Sequence, residues 1–317
     1  MIELLIQVLL LAVSLIVLAL SSHLTISSIE RLIEHTGLSD VSAGFVILAV
    51  MTSTPEIIVA IFSVLQGTPG ISIGDIIGSN VFNIGVVIGI LGMLGYLKIC
   101  CTDLLIELTD ILFLTSLIPL LLIIFEFTGP IIGVTSQIIG IMLLGALVLA
   151  IYFMAKKRTP AVVTSNSVAV EKRNTKLIVA KLILGTSVVI VSARLVVSSG
   201  LNIAISLGVA PILVGAKVVA IGTSLPELTL DLTAVKRGRV QLAIGDILGS
   251  NLTNLTLVLG MVLVSSPFAV DMTILAKILP FLLVTTIVFW RFLTRGGISQ
   301  IGGIVLIMVY ILFQAII

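Results

Sequence analysis

Charge is what this 317-residue chain has least of, since Asp, Glu, Lys and Arg make up 10% of it, where a soluble domain carries roughly 25%. That shortage excludes a water-facing globule. Aromatics are also scarce, at 5%, and the apolar mass is Leu, Ile and Val in long runs, which excludes the alternating strands of a membrane barrel in favour of apolar helices. Histidine occurs only at His23 and His35, too little for an imidazole metal cluster or a Ser-His pair. The two cysteines, Cys100 and Cys101, are neighbours; adjacent thiols rarely close a disulfide, so they read as packing residues. Net charge is +2 and the basic residues sit in short separate clusters, which argues against nucleic acid as a partner. Met1-Ile2-Glu3 lacks the basic region of a signal peptide, and the apolar run after it is too long for one, so that run counts as the first span.

What the chain does have is hydrophobicity: 59% of residues are hydrophobic and the mean hydropathy is +1.35. Apolar runs broken by Gly, Pro, Ser or charge predict ten spans near 4–22, 41–65, 71–97, 104–125, 131–154, 177–201, 211–235, 241–264, 272–292 and 298–316. The expected fold class is therefore an all-α membrane protein of ten transmembrane helices, which leaves no room for a soluble catalytic domain. Its expected divisions are a first five-helix repeat at 1–154, a polar linker at 155–176 and a second five-helix repeat at 177–317. Arg31, Lys98, the linker's six basic residues, Lys236, Arg237, Arg239, Arg291 and Arg295 all fall in the odd-numbered connections. The connections 66–70, 126–130, 202–210 and 265–270 contain no Lys or Arg. By the positive-inside rule the linker is cytoplasmic and both termini lie outside, in a multi-pass cell (plasma) membrane protein.

Internal repetition carries more information. Gly44-Phe45-Val46-Ile47-Leu48-Ala49-Val50-Met51-Thr52-Ser53-Thr54-Pro55-Glu56 aligns with Gly215-Ala216-Lys217-Val218-Val219-Ala220-Ile221-Gly222-Thr223-Ser224-Leu225-Pro226-Glu227, at an offset of 171 residues. At the same offset Gly74-Asp75-Ile76-Ile77-Gly78-Ser79-Asn80-Val81-Phe82-Asn83 matches Gly245-Asp246-Ile247-Leu248-Gly249-Ser250-Asn251-Leu252-Thr253-Asn254. Each half has an odd number of spans, so the second enters the membrane from the opposite face. The repeats are inverted, as secondary transporters arrange them around a central site.

Glu56 and Glu227 fall in mid-span, where a lone ionised carboxylate costs at least about 2.5–3.5 kcal/mol. The structural alternative to a functional role is an ion pair with Lys217, Arg194 or Lys181, or a protonated carboxyl bonded to Thr. Thr52 and Thr223 lie four residues before these acids, on the same helix face. Pro55 and Pro226 lack the amide proton that would bond Met51 or Gly222, so unpaired carbonyls are expected around Ala49–Thr52 and Ala220–Thr223. A plain kink is the simpler alternative. Asp75, Ser79 and Asn83 recur at intervals of four residues, as do Asp246, Ser250 and Asn254, giving each helix a polar stripe within about 80°. Carboxylates, amides, hydroxyls and carbonyls without Cys or His suit hard cations such as Ca²⁺ and Na⁺.

At these residues the sequence resembles the calcium/cation antiporter superfamily, most of all its compact prokaryotic sodium/calcium exchangers. The shared signature is Gly-Thr-Ser-x-Pro-Glu followed by a Gly-Asn/Asp-x-x-Gly-Ser-Asn element in each half; Gly222 to Glu227 fits it fully, and Met51 stands where the first copy would have Gly. The resemblance implies that Ca²⁺ and Na⁺ share Glu56 and Glu227, and that Thr52 and Thr223 give Ca²⁺ their carbonyl oxygens. It also implies that Ser53, Ser79, Ser224, Ser250 and the Ala220 carbonyl complete flanking Na⁺ sites, that Asn83 and Asn254 line the middle, and that the first and sixth helices slide to switch access. Asp75 and Asp246 replace the Asn of many relatives, and either ligate ions or steer them. Lys217, Arg194 and Asp231 have no charged counterpart at Val46 and Ala60, or at His23, which reads as a polar spot or a proton sensor; Lys217 is a candidate partner for Asp246 or a stand-in for a cation.

The expected function is a secondary antiporter exchanging Ca²⁺ for Na⁺ by alternating access, with Ca²⁺/H⁺ exchange on the same scaffold as the alternative. No organic cofactor and no obligate protein partner is implied; the partners are Ca²⁺, Na⁺, in the alternative reading H⁺, and the lipid bilayer. A cation channel fits less well, because it builds its pore from subunits around an axis. An intramembrane aspartyl protease would need Gly-x-Gly-Asp, but the chain has Ser72-Ile73-Gly74-Asp75 and Ala243-Ile244-Gly245-Asp246.

Overall fold

The structure, a computed structural model, describes residues 40–98, 102–128, 136–156, 177–188, 210–266 and 272–317, with 191, 192, 195 and scattered positions between 9 and 31. Most of the expected first span, the linker beyond Lys156, Cys100, Cys101, His23, His35 and Arg194 lie outside the described residues. Among those described, every regular element is helical. We label them α1 (Ala49–Leu65), α2 (Pro69–Met93), α3 (Asp103–Ile124), α4 (Ser136–Lys156), α5 (Leu177–Val188), α6 (Ile212–Lys236), α7 (Val240–Ser265), α8 (Met272–Thr294) and α9 (Gln300–Ile316). Five of these, α2, α3, α6, α7 and α8, are long and apolar enough to cross a membrane. The 25 residues of α2 would reach about 37 Å, more than the hydrocarbon thickness of about 30 Å.

Local chemistry sets the ends. Pro69 opens α2 from its first turn, where a missing amide proton costs nothing. Thr102 caps α3 by accepting from the Leu105 amide, and Ser299 caps α9 by accepting from Gly302. The turn after α1 places Gly67 at φ 69°, and the turn after α6 places Gly238 at φ 80°, left-handed values that side chains resist. In both turns the last carbonyls are closed the same way: Thr68 donates to Ser63 at 2.8 Å, and Arg239 to Ala234 at 2.9 Å.

Packing exchanges elements between the halves. Gly44 lies against the Leu242 carbonyl and, at the repeat offset, Gly215 lies against that of Ile71. Gly74 meets the backbone of Ile212 while Gly245 meets that of Val41; Gly78 abuts Ala216 and Ala220 while Gly249 abuts Phe45 and Ala49. A side chain at any of these positions would enter the neighbouring backbone, so the central helices touch main chain to main chain. Further out, α4 crosses the far end of α7 at Gly140 and Gly260, and α9 crosses that of α2 at Gly89 and Gly303. The repeat-related α3 and α8 pack on one another, where Trp290 stacks on Phe113 and donates to Asp110 Oδ1 at 2.7 Å. The hydrophobic windows of α2 and α7 are each 83% buried, those of α3 and α8 39%, so α2 and α7 form the centre and α3 and α8 face outward. This is the all-α membrane fold of two inverted repeats that the sequence leads one to expect.

Candidate ion-binding site

Irregular helix surrounds the centre of the molecule. Gly44–Leu48 and Gly215–Val219 form wide π-turns just before the Thr-Ser-x-Pro-Glu segments, and Asn83–Ile88 and Asn254–Val258 form two more inside α2 and α7. Such bulges re-aim side chains and expose backbone, and they concentrate at functional sites. The proline break is smaller than the sequence suggests. It is confined to Ser53 (ψ 0°) and Ser224 (ψ 3°), after which Thr54–Leu65 and Leu225–Lys236 resume as α-helix.

Of the carbonyls expected to be free, the first at each break, those of Ala49 and Ala220, are hydrogen-bonded. Ser53 N–H donates to Ala49 at 2.9 Å and Ser224 N–H to Ala220 at 3.1 Å, because both serines stay near helical geometry. A carbonyl has two lone pairs, and the second of Ala220 meets only the Thr223 hydroxyl, at 3.4 Å.

Thr52 and Thr223 share a helix face with Glu56 and Glu227, but their hydroxyls reach across to the other half. Thr223 Oγ1 donates to Asp75 Oδ1 at 2.9 Å and lies 3.2 Å from Ser79 Oγ, which is itself 3.3 Å from Asp75 Oδ1. In the mirror set, Thr52 Oγ1 lies 3.1 Å from Asp246 Oδ1 and 2.8 Å from Ser250 Oγ. Each threonine thus ties one half's Glu helix to the other half's Asp helix.

Glu56 and Glu227 are fully buried, and none of their four carboxylate oxygens has a hydrogen-bond partner. The same holds for Ser53 Oγ, Ser224 Oγ, Asp75 Oδ2, Asp246 Oδ2, Asn83 Oδ1 and both polar side-chain atoms of Asn254. Glu227 lies within Coulombic reach of Glu56 and Asp246, and Glu56 of Asp75 and Asp246, so acids from both halves gather at one place. No three carboxylate, imidazole or thiolate groups among the described residues converge into a ready metal shell; hydroxyls, amides and carbonyls make up the other oxygens. Burying so many unpaired acceptors is costly. Two of the three expected ion-pair partners do not relieve it, since Lys217 Nζ donates to the Gln314 carbonyl at 2.9 Å and Lys181 is exposed, while the third, Arg194, lies outside the described residues; Arg239 pairs instead with Asp40 at 2.9 Å.

Similarity to known proteins agrees with this geometry. The profile of the family described as sodium/calcium exchanger protein matches residues 6–156 and 177–317. The chain belongs to that family. Among relatives of this exchanger, the inner membrane protein YrbG of Escherichia coli strain K12 is 28% identical over 296 residues, covering 89% of this chain and 88% of YrbG. The sodium/calcium exchanger MaX1 of Methanosarcina acetivorans is 24% identical, covering 97% of both chains. The solved sodium-calcium exchanger NCX_Mj, soaked with Na⁺ and Sr²⁺, superposes with a TM-score of 0.77 at 26% identity, covering 99% of both chains. The exchanger is therefore a membrane transporter and not an enzyme.

Two further features of this exchanger's centre come from the tertiary structure. Asn251 accepts from Asn83 Nδ2 at 3.0 Å, whereas Asn80, its counterpart, donates to its own helix at Ile76, also at 3.0 Å. Asp231 is fully buried with both oxygens unpartnered, within Coulombic reach of Asp246 and Glu227. The sequence marks it as the acid with no counterpart at Ala60 and leaves its role open.

Proposed function

We propose that this exchanger carries Ca²⁺ in one direction and Na⁺ in the other by alternating access, at a site shared by Glu56 and Glu227. The observation that carries this reading is the gathering of two fully buried acids, one per inverted half, whose oxygens have no hydrogen-bond partner among the described residues. Thr52 and Thr223 would give Ca²⁺ their carbonyls. Ser53, Ser79, Ser224, Ser250 and the Ala220 carbonyl would serve flanking Na⁺ ions, with Asn83 and Asn254 between them and Asp75 and Asp246 beside them. The halves 1–154 and 177–317 would rock about this site, joined by a cytoplasmic linker at 155–176, with both termini outside the cell membrane.

Competition explains coupling. An empty dianionic site crossing the bilayer would cost at least about 2.5–3.5 kcal/mol per charge, so the switch favours a loaded site and exchange replaces leak. Glu56→Gln or Glu227→Gln is expected to abolish Ca²⁺ uptake by Na⁺-loaded vesicles; near-normal uptake would refute the site. Uptake by the unmodified protein that follows a pH step and ignores Na⁺ would assign protons, not Na⁺, as the counter-ion.

A further inference from the structure

The two halves differ most in chemistry at the turn of helix that leads from the central acids toward the hairpin loops. On the second half's side, α6 carries Asp231, fully buried, with Oδ1 and Oδ2 both lacking a partner. The end of α6 that carries it packs on α7, where its carboxylate is within Coulombic reach of that of Asp246. Asp246 uses Oδ1 for the Thr52 hydroxyl and leaves Oδ2 unpartnered and buried. Two ionised carboxylates offer one another no donor, so the ionised pair cannot satisfy itself. The basic residues of the adjoining loop are engaged elsewhere or face out: Arg239 pairs with Asp40, Arg237 donates to Ser27 at 3.2 Å, and Lys236 is exposed. In the first half the position equivalent to Asp231 is Ala60, and Asp75 stands there without a second acid.

We propose that Asp231 and Asp246 form a second hard divalent-cation site, present in one half only, between the central acids and the loop at 236–239. Charge balance selects the class of ion: two neighbouring ionised carboxylates with no basic partner among the described residues are neutralised by one divalent cation and only half neutralised by Na⁺. Oxygen type agrees, since Ca²⁺ accepts carboxylate and hydroxyl oxygens and completes its shell of six to eight with water. The Thr52 and Ser250 hydroxyls, 2.8 Å apart beside Asp246, are the nearest further donors. Asp231 precedes Lys236 by about 7–8 Å of helix rise, so an ion held there would stand on the route between that loop and Glu227. Such a site would hold Ca²⁺ ahead of the exchange step on one face of the membrane and offer nothing equivalent on the other. The proposal extends the exchange reading and is tested apart from it.

Crystals of the full chain soaked in Sr²⁺ and measured for anomalous scattering are expected to show density between Asp231 and Asp246 as well as between Glu56 and Glu227. Asp231→Asn, which keeps the shape, should lose only the first peak, and equilibrium ⁴⁵Ca²⁺ binding in detergent should fall by about one ion per chain. Ala60→Asp should add a peak beside Asp75. A filled centre with no density at Asp231 in the unmodified protein, density there for a monovalent ion alone, or an unchanged Ca²⁺ count in Asp231→Asn would each overturn the proposal. Density at Asp231 with none at Glu56 and Glu227 would instead uphold it and sink the exchange site.

Discussion

Set side by side, the two halves agree where the central helices meet backbone to backbone and part company at several of the side chains around them. Gly44 and Gly215, Gly74 and Gly245, and Gly78 and Gly249 occupy equivalent crossings; the π-turns begin at equivalent residues; and Thr52 and Thr223 make equivalent bonds to Asp246 and Asp75. Against this, Asp231 faces Ala60, Lys217 faces Val46, Gly222 faces Met51 and Ser72 faces Ala243. The difference is instructive. Helices at main-chain contact tolerate no added atom, so both copies keep the glycines whatever the ion chemistry requires. Polar side chains around the ion route carry no such constraint, and there the copies have become unlike, giving one face of the transporter an acid the other lacks.

The comparison can be broken most severely at the crossings. Gly44→Leu and Gly215→Leu should each prevent the halves from docking, leaving no monodisperse protein by size-exclusion chromatography, whereas Gly145→Leu, with open space around its Cβ position, should elute unchanged. A smaller effect is expected from Thr52→Val and Thr223→Val. Each strips the hydroxyl from a buried carboxylate and should destabilise the detergent-solubilised protein by about 1–3 kcal/mol, by similar amounts if the halves are equivalent there. Unequal losses would show that symmetry ends at the backbone. The smallest effect belongs to Lys217→Met. Its ammonium is spent on the Gln314 carbonyl, so the variant should lose about 1 kcal/mol of stability and keep transport. Loss of Ca²⁺ uptake in that variant would place the ammonium in the ion site after all.

Much of this was readable in the letters because a repeated motif constrains geometry. The common offset linking Gly44–Glu56 to Gly215–Glu227 and Gly74–Asn83 to Gly245–Asn254, with an odd number of spans per half, already implies inversion and a shared centre. The acids Glu56 and Glu227 and the Asp, Ser and Asn stripes stand out because charge and amide are expensive in mid-span. What misled was reasoning within one helix. Proline at the second position of α-helical Thr54–Leu65 suggests free carbonyls over the whole turn Ala49–Thr52, and likewise over Ala220–Thr223, yet Ser53 and Ser224 stay close enough to helical to pair the first of each, Ala49 and Ala220. The Thr52–Glu56 spacing suggests a local pair, yet the hydroxyl finds its acceptor nearly two hundred residues away along the chain, on Asp246. The π-turns have no letter pattern of their own, since they answer to the packing of the opposite half.

By itself, then, the sequence determined the membrane as solvent, the helical class, the duplication and its inversion, and the residue types gathered at the centre, because each follows from hydrophobic length, charge placement or repetition along one chain. Only the tertiary structure decided that Thr52 and Thr223 bond across the halves, that Lys217 turns away to α9, that Asn254 is left open while Asn83 is paired with Asn251, and that Asp231 is buried without a hydrogen-bond partner within Coulombic reach of Asp246. The physical reason is range. Periodicity and propensity act over a few residues of one helix, whereas the partner of a buried polar group is set by which distant helix comes to lie beside it.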